Sequence, residues 1–182
     1  MSSVIKDEGE LELIKSLGFL TQKPMMVVVN VGEGQLDKEF DFSGVAGDEV
    51  QVIKLCAKLE SELAQLDEES RKEFMSDMAL TEPAVNKFVG SCYETLGLIS
   101  FLTVGKNEAR AWPIRKGICA LDAAGKIHSD IQRGFIRAET MSFADLEELG
   151  DEKAVKAAGK VRLEGKSYVV QDGDLIFFRF NV

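Results

Sequence analysis

Met25-Met26-Val27-Val28-Val29-Asn30-Val31-Gly32-Glu33 decides the fold of the first half of this 182-residue chain. Five consecutive apolar residues rich in β-branched side chains, closed by a polar turn, have the pattern of a strand buried on both faces of a parallel sheet. Lys23-Pro24 stops whatever precedes that strand. The loop that follows presents an amide and a carboxylate at the strand's carboxyl end, where α/β sheets bind their ligands. An amide both donates to and accepts from a purine edge, while a carboxylate only accepts. Taken alone the four-residue pattern is weak, and an ordinary polar loop with Asn30 serving a turn is the competing reading.

Upstream, Leu11, Leu13, Ile14, Leu17 and Phe19 fall mostly on one helical face, with acidic residues in the first turns, so a helix is expected over 7–19. Downstream, Val50 to Cys56 reads as a second strand and helical patterns resume at Lys58. Asp67 is expected to cap a helix over 68–78. Thr81-Glu82-Pro83 opens another, which should end near Gly97. From Ile99 the texture turns β-rich: 99–104 and 109–114 read as strands joined by Gly105-Lys106-Asn107, and 119–129 as a helix. Asp172-Gly173 is a strong two-residue turn signal, so 166–171 and 174–181 are expected to form a closing hairpin. Strand, strand, helix, then further strands describes a small α+β domain of the β-grasp kind. The whole chain therefore reads as an α/β portion followed by an α+β domain.

An apolar fraction of 45% with 29% charged residues excludes disorder as the default. No run of about 18 apolar residues is present, and the first residues are acidic where a signal peptide is basic and then apolar. A cytoplasmic protein without a membrane segment is expected. Three widely spaced cysteines, Cys56, Cys92 and Cys119, fit neither a disulfide framework nor a zinc motif. The net charge of −9 is unevenly spread. Residues 1–98 hold 9 Lys+Arg against 19 Asp+Glu, or −10; residues 99–182 hold 13 against 12, or +1. Only the second half can meet a polyanion without strong repulsion.

Gly165-Lys166-Ser167 imitates the end of a phosphate-binding loop, but the upstream glycine that motif needs falls at Lys160, and a strand follows where a helix is required. His128 is the only histidine, so no catalytic dyad or multi-histidine metal site can be built on it. From Lys106 to Arg137 seven basic residues, Lys106, Arg110, Arg115, Lys116, Lys126, Arg133 and Arg137, face three acidic ones, Glu108, Asp122 and Asp130. This is the best nucleic-acid footprint in the chain. Phe101, Trp112 and Phe135 lie among these residues, where core packing accounts for them as readily as base stacking does.

Three blocks then carry a resemblance: 111–117 (AWPIRKG), 123–130 (AAGKIHSD) and 134–140 (GFIRAET) are similar to the TGS domain of the YchF, or Obg-like ATPase, family. The closing segments 158–166, 170–174 and 178–182 resemble that family too, as does the stretch from Phe19 through Glu33. The resemblance implies the end of a helical insertion at 1–22, the C-terminal part of a P-loop nucleotide-binding domain at 23–97, and a β-grasp (ubiquitin-like) TGS domain at 98–182. It implies that Asn30, Val31 and Glu33 line a purine and that Cys56 and Ala57 form the second loop beside it. The family's Asn-x-x-Glu replaces the Asn-Lys-x-Asp of most GTPases, a departure that goes with acceptance of ATP. The implied ligands are ATP or GTP with Mg²⁺, and the implied partners are the ribosome or RNA through the TGS domain, and the protein's own nucleotide-binding domain. Two features depart from the pattern. Gly34–Asp48 is shorter and more polar than the helix the family places there, and the 182 residues contain no phosphate loop. The chain alone is therefore expected to bind nucleotide weakly and not to hydrolyse it. A non-enzymatic RNA- or ribosome-binding module is the alternative.

Overall fold

The computed structural model describes residues 8–42, 50–105 and 108–181. These divide into two compact units, with the break between Leu96 and Gly97.

In the first unit, helix α1 (Glu8–Lys15) is shorter than its apolar pattern predicts, because Gly18 takes φ +60° and a short 3₁₀ turn follows at Leu20–Gln22. The apolar run becomes strand β1 (Met26–Asn30), which pairs in parallel with β2 (Gln51–Leu55), Met26 opposite Gln51 and Asn30 opposite Leu55. The ladder extends one bond further, from Val31 N–H to the Leu55 carbonyl at 2.9 Å. Three helices follow: α2 (Ala57–Leu63), α3 (Glu68–Asp77) and α4 (Ala84–Thr95). Cys56, Leu59 and Leu63 are buried together under Leu36, Leu66, Phe74, Met75 and Leu80. Each buried leucine contributes about 1.5–3 kcal/mol. Asp67 caps α3 as its sequence predicts, accepting from Ser70 N–H at 2.8 Å, and that bond holds its carboxyl below the usual range. The N-terminus of α4 uses a less local partner: the Glu60 carboxylate accepts from Ala84 N–H at 2.8 Å. Within Gly34–Asp48, residues 43–48 lie outside the described residues.

The second unit is a five-stranded mixed sheet in the order β4-β3-β7-β5-β6. Its strands are β3 (Leu98–Val104), β4 (Ala109–Arg115), β5 (Phe135–Ser142), β6 (Arg162–Glu164) and β7 (Asp174–Phe180). β3 and β4 are antiparallel as expected, β3 and β7 parallel, and β5 antiparallel to both β6 and β7. One face carries Phe101, Ile114, Phe135, Ala138, Ile176 and Phe178, packed on helix α5 (Ala120–Ile127). Ala120, Ala123 and Ala124 on α5 are fully buried, so small side chains let this helix lie close to the sheet. A short helix α6 (Ser129–Arg133) continues from α5. Helices α7 (Phe143–Leu149) and α8 (Glu152–Ala157) bury Met141, Leu175 and Val155 in a second cluster.

The closing hairpin is not formed. Residues 166–171 pair instead with the start of α5: Tyr168 O accepts from Ala120 N–H at 2.8 Å and Val170 N–H donates to Ile118 O at 3.1 Å. The turn at Asp172-Gly173 serves β3, with Asp172 Oδ1 accepting from Ser100 N–H at 2.8 Å and Gly173 N–H donating to Ser100 O at 2.8 Å. Gly173 takes φ +76° there, so the residue was the right one for a turn, but the turn joins different partners.

Two contacts lock β7 in place. Asp174, 2% exposed, accepts from Tyr168 Oη–H at 2.7 Å, Gln171 N–H at 2.9 Å and Arg162 at 3.3 Å. Burial first, and then the Asp174 hydrogen bond, push the Tyr168 phenol from its ordinary 10.0 to about 12. At the far end Asn181 N–H donates to Gly134 O at 2.9 Å, and a β-carbon on Gly134 would collide with the Asn181 carbonyl oxygen.

Gly134→Ala is therefore expected to destabilise the second unit by about 1–3 kcal/mol, seen as a lower urea midpoint at unchanged slope. Tyr168 gives a pH signature. Its folded value is raised, so its contribution is complete below pH 10 and is lost as pH climbs toward about 12, because the unfolded chain releases the proton first. The stability advantage of the native chain over Tyr168→Phe should accordingly be flat below pH 10 and shrink above it.

Candidate functional site

Parallel pairing makes β1 and β2 end side by side, so the residues after each strand share one rim. Asn30, the last residue of β1, reaches across that rim: its Oδ1 accepts from Ala57 N–H at 3.0 Å. Of the two amide atoms only the oxygen can accept a hydrogen bond, so the amide orientation is settled and Nδ2 is the half left to donate to an acceptor. Val31, 8% exposed, anchors the loop floor, and Gly32 N–H is held by Gln35 Oε1 at 3.1 Å. Glu33 opens a short 3₁₀ turn and accepts through Oε1 from Lys58 Nζ at 3.0 Å. Lys58 also stands 3.8 Å from Glu62 Oε1. Its hydrogen bond to Glu33 is the first cause holding the Lys58 ammonium above its ordinary range.

The structure thus brings Asn30, Val31, Glu33, Cys56 and Ala57 onto one rim. Cys56 is buried at 3% exposure and supplies packing beneath that rim. Lys58 was missed from the sequence. Its signal was present: a cation immediately after the second rim loop, in a half of the chain where acids outnumber bases about two to one.

The basic residues of the second unit do not share one surface. Arg110 lies over the Trp112 indole, its guanidinium 4.2 Å from the ring centroid, while Trp112 Nε1–H donates to Thr103 Oγ1 at 2.9 Å. Arg110 and Trp112 stand four and two residues before buried Ile114 on the same strand and so lie with it on the α5 face of the sheet. Lys126 and Arg133 sit on α5 and α6, with Arg133 ion-paired to Asp130. Arg115, opposite Leu98, and Arg137, opposite Arg179, fall on the other face. Three strand steps separate β4 from β5, or about 14 Å. Lys116 follows β4, its N–H bonded to Gly97 O at 2.9 Å. Lys106 lies outside the described residues. Of the aromatics, Phe101 and Phe135 are buried core residues, and Trp112 is half-buried at the core's edge.

His128 caps α6, Nδ1 accepting from Asp130 N–H at 3.2 Å. All three cysteines are free. Among the described residues no cluster of three or more His, Cys, Asp or Glu side chains is placed to hold a metal ion. No described helix is long and apolar enough to cross a membrane.

The family model YchF-GTPase_C, described as a protein of unknown function (DUF933), matches residues 98–181. The chain is 45% identical to the ribosome-binding ATPase YchF of Bacillus subtilis (strain 168), over 99% of this chain and 51% of that protein. It is 40% identical to human Obg-like ATPase 1, over 96% of this chain and 46% of that protein. Among solved structures it superposes on the Schizosaccharomyces pombe YchF GTPase with a TM-score of 0.80 at 31% identity, over 96% of this chain and 48% of that one. The chain thus spans about half the length of the curated relatives it matches. On sequence along its whole length and on fold, the chain belongs to the YchF/Obg-like ATPase family.

Proposed function

We propose that this chain is the C-terminal portion of a cytoplasmic, ribosome-associated protein that binds and hydrolyses ATP or GTP. On this reading it supplies a purine-recognition loop, Asn30, Val31 and Glu33 backed by Cys56 and Ala57, and a TGS domain of β-grasp form. The observation that carries it is the 3.0 Å bond from Ala57 N–H to Asn30 Oδ1, which joins the two rim loops and leaves the amide NH2 group to donate to an acceptor on a ligand. Residues 1–22 would close a helical insertion, 23–97 would complete the nucleotide-binding domain, and 98–182 would form the TGS domain.

The surface of the first unit supports the partial-domain reading. Among the described residues β1 pairs only with β2, and Leu13, Leu17, Leu20 and Val28 remain exposed. Parallel sheets are covered on both faces, and two strands alone are marginal. Further strands beside β1, with the crossover helices that parallel strands bring over the faces, would satisfy both requirements. For the second unit, the parallel β3–β7 pair at the sheet's centre, with α5 laid across one face, is in keeping with a β-grasp.

Magnesium would travel with the phosphates. Among the described residues no group of three or more His, Cys, Asp or Glu side chains is placed to hold a metal ion by itself, so the phosphates would supply much of its coordination. What these residues can do is hold and orient a base. The purified 182-residue chain is accordingly expected to show no Mg²⁺-dependent ATP turnover above background in a phosphate-release assay; clear turnover would overturn the assignment.

A second reading, an RNA- or ribosome-binding module in residues 99–182, is favoured by the seven-to-three excess of basic residues over 106–137. Docking of this unit on the protein's own nucleotide-binding domain would use the same charges. Because Arg110 and Lys126 belong to the α5 side and Arg137 to the other, an RNA bound to one side should sense only one set. Neutralising a contacting residue should flatten the log–log salt dependence of single-stranded RNA binding by about 0.7 per site, and neutralising one on the opposite side should leave it unchanged. Binding that does not weaken with salt would sink RNA contact by either set.

A further inference from the structure

Consecutive residues of α2 hold the two polar side chains of the rim loop: Ala57 N–H binds Asn30 Oδ1, and Lys58 Nζ binds Glu33 Oε1, each at 3.0 Å. From this geometry we infer that Lys58 is a specificity-determining residue, favouring adenine over guanine by occupying one oxygen of the Glu33 carboxylate. The inference rests on the base-recognition reading above and adds to it a residue and a direction.

Asn30 contributes little to the choice between purines. With Oδ1 turned to Ala57, its Nδ2 group faces outward to donate to N7, an acceptor that adenine and guanine share. Discrimination therefore falls to Glu33. Guanine presents N1–H and a 2-amino N–H side by side, a fork that matches a carboxylate with both oxygens available. Adenine has no such fork: its N1 is an acceptor and C2 carries only hydrogen, and its one donor group, the 6-amino, stands where guanine carries O6 and is satisfied by a single oxygen. Lys58 takes Oε1 and leaves Oε2, so the bound carboxylate suits one donor better than two. The Glu33 side chain is 44% exposed and so remains reachable by a base. Glu62, 3.8 Å from the same ammonium, steadies it over α2, so the Lys58 position does not depend on Glu33 alone.

The test compares ATP and GTP affinities of the 182-residue chain by amide chemical-shift titration, following Asn30, Gly32, Glu33 and Ala57, in the native chain, Lys58→Met and Lys58→Arg. The ratio of the two affinities is the readout, since a general loss of phosphate attraction or of stability cancels from it. Removing an exposed ion pair of this kind should move the ratio toward GTP by about two- to fivefold in Lys58→Met, and Lys58→Arg should restore it. An unchanged ratio, with both nucleotides still shifting the Asn30 and Glu33 amides, would overturn the role of Lys58 and leave the loop assignment standing. A shift toward GTP of the same size in Lys58→Arg would also overturn it, by showing that side-chain shape and not the charge matters. If neither nucleotide perturbs these amides in the native chain, the base-recognition reading fails and takes the inference with it.

Discussion

Parallel pairing is the constraint from which most of this architecture descends. Two parallel strands cannot be joined by a tight turn, because the chain must return to the starting end before the second strand begins. In the first unit this sets the carboxyl ends of β1 and β2 side by side, which is why Asn30 and Ala57 meet although 27 residues separate them. In the second unit Leu102 of β3 lies opposite Leu175 of β7, and everything between them, four helices and three strands, belongs to one long connection. The rim that reads as a binding loop and the sheet that organises the second core are thus two results of one geometric rule.

Features decided by neighbours in sequence were legible. The run from Met25 to Val29 announced a buried strand, and Asp67 announced a cap, because each depends on residues within a turn or two of itself. The failure at Asp172-Gly173 has the same origin. That dipeptide specifies a reversal with positive φ at the glycine, which is formed, but it does not say which strands the reversal serves. Tyr168 and Val170 find their partners some fifty residues upstream at Ile118 and Ala120, and nothing local encodes that preference. The end cap of α4 by Glu60 was illegible for the same reason, since the donor and acceptor lie 24 residues apart.

At the candidate site, Asn30 and Glu33 were legible as a polar pair at a strand end, and the likeness to a known family pointed to Cys56 and Ala57 as the neighbouring loop. Lys58 was passed over despite its place after the second rim loop, because a lysine in an amphipathic helix is ordinarily read as a solvated residue, and only the three-dimensional rim pairs it with Glu33. The basic cluster shows the opposite bias. Density along the chain counts residues without regard to side, whereas alternation along a strand sends Arg110 and Arg115 to different faces. A strand five residues on from one arginine keeps a basic composition and loses a basic surface.

The strand at the centre of the second sheet is the last of its five in sequence. Until β7 arrives, the β3–β4 ribbon and the β5–β6 pair have no ladder between them, and Phe101 and Phe135 lack the Phe178 ring that both pack against. Assembly in order of synthesis is therefore blocked: the early strands must wait, with apolar faces uncovered, for a segment about seventy residues later. The same arrangement makes partial opening costly once folding is complete, because withdrawing β7 divides the sheet in two. Cooperativity in this unit is a property of its strand order.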